Sequence, residues 1–290
     1  MNEPVALKPT RHFEIEDDLT DASFDRIAAI AYDRAGLFFP RIKKSMVKSR
    51  MARRLRDLRM PSFEGYTRFV CSTDGEPERH RLVGALTTNV SNFFRENHHF
   101  DLLRTTILPP LLARLAHGEK VRIWSAGCAN GQEAYSIAIL LNEMAPKIQE
   151  WDIRILATDI DGDVLAFAKA AIYPDHMIET VPAAYKAKYF RESGSVPGGF
   201  QLNGQVAQLV TFNTLNLHDP WPMKGLFDVI FCRNVLIYFD EAAQGQLLAR
   251  FHTTLTQDGW MVLGHSERVP PSQASAFKSA GVTALRKSGA

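Results

Sequence analysis

The sequence predicts a doubly wound α/β protein that carries a small N-terminal all-α domain and an inserted antiparallel β-subdomain. From Val121 onward, strand-like runs alternate with helical patterns, as crossover units building a parallel sheet do. The apolar run Phe227-Asp228-Val229-Ile230-Phe231-Cys232 stops abruptly at Arg233-Asn234, as a strand covered on both faces does where it opens into a site. The first 85 or so residues show only helical periodicity.

Residues 1–20 are polar and aperiodic, and little function is expected of them. From Thr20 or Asp21, either of which suits an N-cap, Phe24, Ile27, Ala28 and Ala31 recur at helical spacing up to a stop near Gly36. Between Ile42 and Met60, Val47, Met51, Leu55 and Leu58 share one face. Lys43, Lys44, Lys48, Arg50, Arg53, Arg54, Arg56 and Arg59 crowd the remainder, opposed within the helix only by Asp57. Pro61-Ser62 opens a short helix bearing Phe63, Tyr66 and Val70, and another amphipathic helix runs through Leu82, Val83 and Leu86. Strands are predicted at Val121–Ser125, Ile153–Thr158, Phe227–Cys232 and Gly259–Gly264, with helices at Ala134–Met144, Val164–Ala171 and Ala242–Leu255. Between Tyr173 and Leu215 the rhythm breaks at Gly194, Pro197-Gly198-Gly199 and Asn203-Gly204. Alternation through Phe200, Leu202, Val206 and Leu209-Val210 reads as an inserted hairpin subdomain at about 180–212.

A chain of 290 residues that is 46% apolar can bury the cores of two ordinary domains. A formal charge of +2 does not call for a nucleic-acid or membrane partner, so any basic footprint is local. Cys71, Cys128 and Cys232 lack metal-ligand spacing and follow no recognisable secretory signal, which suits a reducing cytosol, and no metal is expected. No apolar stretch is long enough to span a bilayer, so direct membrane insertion is not expected.

Three further segments carry chemistry. In Ser125 to Tyr135, Gly127 and Gly131 bracket a turn that opens a helix, where a nucleotide-type ligand can approach bare backbone; a tight turn without a ligand is equally compatible. Asp159 closes the second strand, at the position from which a carboxylate accepts hydrogen bonds from both ribose hydroxyls. Asp161, before an apolar helix, reads as a cap. Leu86 to Phe100 sets polar groups between aromatics around Arg95, whose guanidinium can hold a carboxylate through two parallel bonds. An interdomain ion pair is the plainer reading. His98 and His99 lack a third ligand at metal-binding spacing.

Together, Leu86 to Phe100, Ala157 to Asp161, Phe231 to Asp240 and Leu263-Gly264-His265-Ser266-Glu267 resemble the CheR family of chemotaxis receptor methyltransferases over nearly the whole chain. The resemblance implies a Rossmann-like methyltransferase sheet that transfers methyl from S-adenosylmethionine to glutamate side chains of chemoreceptors. It implies that Asn89, Ser91, Arg95, Glu133, Asp159, Asn216, Leu217, Asn234 and Val235 line the cofactor site, with Arg95 and Tyr238 nearest the reaction. The family's first turn resembles C-x-T-G-E-E-P-Y-S, whereas this chain has Cys128-Ala129-Asn130-Gly131-Gln132-Glu133-Ala134-Tyr135-Ser136, with Gln132 in place of one carboxylate.

An ionised glutamate needs no general base, so positioning is the expected catalyst. Arg95 is expected to orient the carboxylate, and Tyr238 to donate to its second oxygen or to wall the sulfonium. Lys43, Arg50, Arg53 and Arg54 are the expected dock for an acidic receptor helix, and the β-subdomain a second contact for a receptor C-terminal peptide. The expected division is 1–84 for substrate docking, 85–97 as a linker contributing to the cofactor site, and 98–290 for the methyltransferase domain. A nucleic-acid methyltransferase and a catalytically silent cofactor-binding scaffold are the competing readings. The first lacks an Asn/Asp-Pro-Pro-aromatic motif after the Phe227 strand, and the second does not account for the retained Arg95 and Tyr238.

Overall fold

A computed structural model describes residues 13–288, and the chain divides into two compact units. The first holds residues up to Arg34 together with Phe38–Thr87; the second holds Ala35–Leu37 and everything from Thr88. Residues 88–97, expected as part of a linker, thus cluster with the second unit.

The first unit is built from four helices, α1 (Asp21–Ala35), α2 (Lys44–Leu58), α3 (Phe63–Cys71) and α4 (Glu76–Leu86). Each starts or stops for a local reason. Thr20 Oγ1 accepts the Ser23 N–H ahead of α1, and the Ser62 side chain accepts from Gly65 to cap α3. Arg59, in the left-handed region, ends α2. Phe24, Ile27, Val47, Met51, Leu55, Phe63, Tyr66 and Leu82 form the buried interior, matching the apolar faces read from the sequence.

The second unit opens with α5 (Asn97–Leu102) and α6 (Leu108–Ala116), joined by a π-helical turn at Leu103–Ile107. Then follow β1 (Val121–Ala126), α7 (Gln132–Met144), β2 (Ile153–Asp159), α8 (Gly162–Ala170), β3 (Ile172–Pro174), α9 (Ala183–Tyr189), β4 (Phe190–Glu192), β5 (Gly199–Leu202), α10 (Gly204–Ala207) and β6 (Val210–Thr214). The chain closes with β7 (Phe227–Cys232), α11 (Glu241–Thr254), β8 (Leu255–Leu263), β9 (Phe277–Gly281) and β10 (Ala284–Lys287).

The seven-stranded sheet runs β6-β2-β1-β7-β8-β10-β9. Its first five strands pair in parallel, and β10 and β9 add antiparallel. From β1 the chain steps outward through β2 to β6, then returns to lay β7 on the other side of β1. The winding therefore reverses between β1 and β7, and ligands of such sheets bind at the carboxyl ends of the strands at that reversal. Both faces are covered. Val121, Ile123 and Val229 pack with α6 and α7 on one side, while Trp124, Ile230 and Met261 pack with Leu248 and Phe251 of α11 on the other. The lone acid of the β7 run, Asp228, is buried but accepts from Arg114 at 2.7 Å and from the Arg122 N–H at 2.9 Å.

The insert differs from its prediction. It is a three-stranded antiparallel sheet, β3-β5-β4, that starts at Ile172, ahead of the expected 180. Val210, expected within the insert, belongs to β6 at the edge of the main sheet, paired in parallel with Ile155. Val206 lies in α10 and not in an alternating strand. Apolar alternation of a short run does not say which sheet it joins.

Candidate functional site

The carboxyl ends of β1, β2 and β7 are shaped by two glycines and one aspartate. Gly127 and Gly131 both have φ above +80°. A Cβ on Gly127 would lie 2.4 Å from Val235 Cγ2, and one on Gly131 would lie 2.9 Å from Ala168 Cβ and 3.0 Å from Phe212 Cζ. Both glycines are therefore required by close packing and backbone conformation, which is the plain-turn reading. Asp159, 8% exposed, accepts the Ala129 N–H at 2.8 Å on one oxygen and the Asp161 N–H at 3.0 Å on the other. Burial raises its pKa, opposed by those backbone bonds. A carboxylate has about four acceptor positions, so further ones remain on each oxygen for a pair of vicinal hydroxyls. Asp161 caps α8 by accepting from Asp163, as expected, and also accepts the Asn89 amide at 2.8 Å.

Residues 89–95 are tied along the β1 turn. The Asn130 amide donates to the Asn89 carbonyl, the Gln132 amide to the Ser91 carbonyl at 3.0 Å, and the Phe94 N–H to Ser136 Oγ at 3.0 Å. Gln132 thereby gains a reason: a glutamate has no N–H to give Ser91. Its own Oε1 is buried with no hydrogen bond among the described residues. Spare acceptor positions on the buried Asp159 carboxylate, and the unsatisfied Gln132 Oε1, fit a ligand that carries hydroxyl and amino donors, as S-adenosylmethionine does.

The far side of the rim follows β7. Asn234 adopts φ +59°, a conformation asparagine tolerates better than most residues. Leu236–Tyr238 then form one 3₁₀ turn, and half-buried Tyr238 makes no side-chain hydrogen bond among the described residues. Arg95 is half-buried and donates to the Val90 carbonyl at 3.0 Å. Asn216 Oδ1 accepts the His218 N–H, and Leu217 is buried. The Arg250 guanidinium, stacked 4.2 Å over Trp221, donates to the Leu217 carbonyl and fixes that loop.

Sequence reasoning passed over Arg233. Its side chain is 2% exposed and lies 3.0 Å from a Glu133 oxygen and 3.3 Å from a Glu96 oxygen; it also donates to the Arg95 carbonyl. Glu133 accepts the Ser125 hydroxyl on its other oxygen at 2.6 Å. The acid expected to face the cofactor is thus first a counter-charge for Arg233. Burial works to raise the Glu96 pKa, but Arg233 and a hydrogen bond from His265 outweigh it and hold it below the ordinary value. Glu96 also supplies the third ligand type that the His98 and His99 spacing lacked. The three ligand atoms lie within 4.8 Å of one another, with Glu96 already engaged by Arg233 and His265. Buried His99 is depressed to about 4 by burial and by the Arg233 charge. The abrupt end of β7 at Arg233 was the one signal available for this hub. Cys128 and Cys232, both buried, have thiol pKa values pushed well up by burial.

The four basic residues expected to form a dock are engaged to different degrees. Arg54 is 14% exposed and grips Glu78 of α4 in a fork, Nε to Oε1 at 2.5 Å and Nη2 to Oε2 at 2.6 Å, so it is not offered to a partner. Arg50 donates to the Leu86 carbonyl. Lys44 and Lys48 pair with Asp21 and Asp18, acids that lie outside the helix where Asp57 alone was expected to oppose the charge. The side chains of Lys43 and Arg53 enter no hydrogen bond or ion pair among the described residues, and Arg53 is exposed.

A doubly wound sheet whose winding reverses between β1 and β7, with a buried carboxylate ending the neighbouring β2, belongs to the class of folds that bind ligands at the carboxyl ends of their strands. Residues 89–285 match the CheR methyltransferase SAM-binding domain and residues 22–87 the CheR methyltransferase all-alpha domain. The chain belongs to the CheR methyltransferase family. It is 44% identical over 257 residues to a probable chemotaxis protein methyltransferase of Rhizobium etli, covering 88% of this chain and 96% of that one. A chemotaxis protein methyltransferase of Salmonella typhimurium is 39% identical, covering 86% of this chain and 84% of that one. One from Borreliella burgdorferi is 36% identical, covering 89% and 92%. Among the described residues, no helix is long and apolar enough to cross a membrane.

Proposed function

We propose that this chain methylates glutamate side chains in the cytoplasmic domains of chemoreceptors, using S-adenosylmethionine and releasing S-adenosylhomocysteine. The observation that carries the reading is the Asp159 carboxylate at the C-terminal edge of β2, facing the switch point of a chain that belongs to the CheR methyltransferase family. The same reading places the protein in the cytoplasm, where such substrates lie.

When bound, S-adenosylmethionine supplies a methyl carbon on a positively charged sulfur, and its transfer to a carboxylate oxygen leaves a neutral thioether. Asp159 accepts the ribose hydroxyls. Asn89, Ser91, Glu133, Asn216, Leu217, Asn234 and Val235 wall the remainder. Arg95 spends one N–H on Val90 and keeps others to orient the substrate carboxylate. Too tight a clamp would stabilise the ground state and blunt the nucleophile, so its role is orientation. Tyr238 has a hydroxyl uncommitted among the described residues and serves the second carboxylate oxygen or the wall beside the sulfur. Lys43 and Arg53 remain as the basic contact for an acidic receptor helix. An edge of the β3-β5-β4 sheet receives an extended receptor C-terminal peptide by strand addition.

The test is transfer of labelled methyl to purified receptor cytoplasmic domain, with base-labile release as readout. Base-labile label is expected; label that survives base, or that appears on nucleic acid, would refute the reading. No transfer despite cofactor binding would leave the silent scaffold.

A further inference from the structure

We propose that Glu267 is a positioning residue for methyl transfer, acting through the loop that follows β7. The inference rests on the proposed function of that loop. Glu267 is 4% exposed, and its two oxygens accept four backbone N–H groups. One oxygen takes Gly264 at 2.6 Å and Asn234 at 2.9 Å; the other takes Val235 and Leu236, each at 2.7 Å. Three of them, Asn234, Val235 and Leu236, are consecutive amides of the segment that carries Tyr238, and Gly264 follows β8. Successive N–H groups converging on one anion form a backbone nest, and bonds to an ionised acceptor are about twice as strong as neutral ones.

Nothing in the loop's own sequence fixes its shape. Asn234 holds a left-handed conformation and Val235 turns back into the α region, while its buried N–H groups find no helix or ladder to join. The Glu267 carboxylate supplies those partners together and so selects this conformation over others. The fit is close on the opposite side as well. A Cβ on Gly264 would lie 2.7 Å from Asn234 Nδ2 and 2.8 Å from Glu267 Oε2, so only glycine lets β8 end against the loop. Val235, held by Glu267, in turn fills the space beside Gly127 of the β1 turn. One carboxylate therefore registers both edges of the switch point.

A purely structural brace and a positioning residue differ in what they move. Glu267→Gln keeps size and shape but turns an N–H₂ toward two of the four backbone donors, so the loop must shift. The expected result, well below the melting temperature, is a fall in kcat of ten-fold or more. The Tyr238→Phe effect should shrink in the Glu267→Gln background, because both changes act through one loop. Asp228→Asn, at the opposite end of β7, serves as a stability-matched control and should keep kcat. Equal kcat and KM for Glu267→Gln and wild type, alongside a lowered melting temperature, would overturn the proposal. So would independent, fully multiplicative effects of the two substitutions. Gly264→Ala presses a Cβ on the same contact from the β8 side and should also lower kcat. Should neither variant fold, hydrogen exchange on wild-type protein decides: the Asn234, Val235 and Leu236 amides should be protected without cofactor, and unprotected amides would refute the clamp. Wild type that transfers no methyl at all would instead count against the proposed function, not against the clamp.

Discussion

Each unit buries one arginine against glutamate, and the two clusters do different things. Arg54 meets Glu78 in a fork between two neighbouring helices, with the Tyr66 hydroxyl completing the acid. Arg233 faces two acids, Glu133 and Glu96, reaches the Arg95 carbonyl besides, and keeps Nε without a hydrogen bond among the described residues. The first pair is complete within itself and braces α2 on α4. The second is spread over three segments of the sheet rim and left open by one donor. A buried ion pair by itself therefore says little about function; incompleteness beside a candidate site says more.

Removing the cation from each cluster tests that contrast most strongly. Arg233→Met removes the cation from buried Glu133 and half-buried Glu96, and a loss of about 3–5 kcal/mol in urea unfolding is expected, with cofactor affinity falling in the same protein by calorimetry. Arg54→Met should cost about as much by the same rule yet leave cofactor affinity within about two-fold, since the pair lies within the first unit. Equal loss of affinity in both would erase the distinction. Next in size, Arg95→Ala should lower kcat/KM for receptor by about 100-fold, the scale of losing one charge-stabilising donor. Activity within a few-fold of the parent would remove its orienting role.

Acid separates the clusters too. His99 beside Glu96 is neutral in the fold, with a pKa lowered from 6.5 to about 4, so the unfolded chain binds the extra proton between those values. Stability of the second unit should be fully present above about 6.5 and decline as pH falls toward about 4, a slope that His99→Gln flattens in pH-dependent unfolding. No histidine takes part in the Arg54 cluster. Smaller still, Tyr238→Phe should slow turnover by about ten-fold, about 1.4 kcal/mol, with cofactor affinity unchanged; unchanged turnover would take Tyr238 out of the chemistry. The smallest change is Arg53→Glu, expected to raise receptor KM a few-fold without altering cofactor binding, and a matching loss of cofactor binding would point to misfolding.

The sequence made visible what depends on near neighbours. β7 was read to the residue because a run buried on both faces has no polar interruption except Asp228, and α8 was read through its Asp161 cap. The roles of Arg233, Glu96 and Glu267 were not legible. Arg233 meets Glu133 across 100 positions and Glu267 meets Asn234 across 33, and no periodicity reports such a pairing. The Arg54 pairing was hidden for the same reason: its surplus charge was plain, and its partner Glu78 sat 24 residues away on another helix. The position of Asp159 at the end of β2 was legible because a strand's last residue has a fixed place in a parallel sheet. Val210 was misplaced because five residues of β6 look alike in a hairpin and on a sheet edge.

Cys128 lies in the turn that follows β1 and Cys232 ends β7, both at the carboxyl edge of the sheet, the edge to which the proposed function assigns an alkylating sulfonium. A deprotonated sulfur there would be a far better methyl acceptor than any carboxylate. Burial pushes both thiols further above their ordinary value, so thiolate is scarcer at these two positions than at an exposed cysteine.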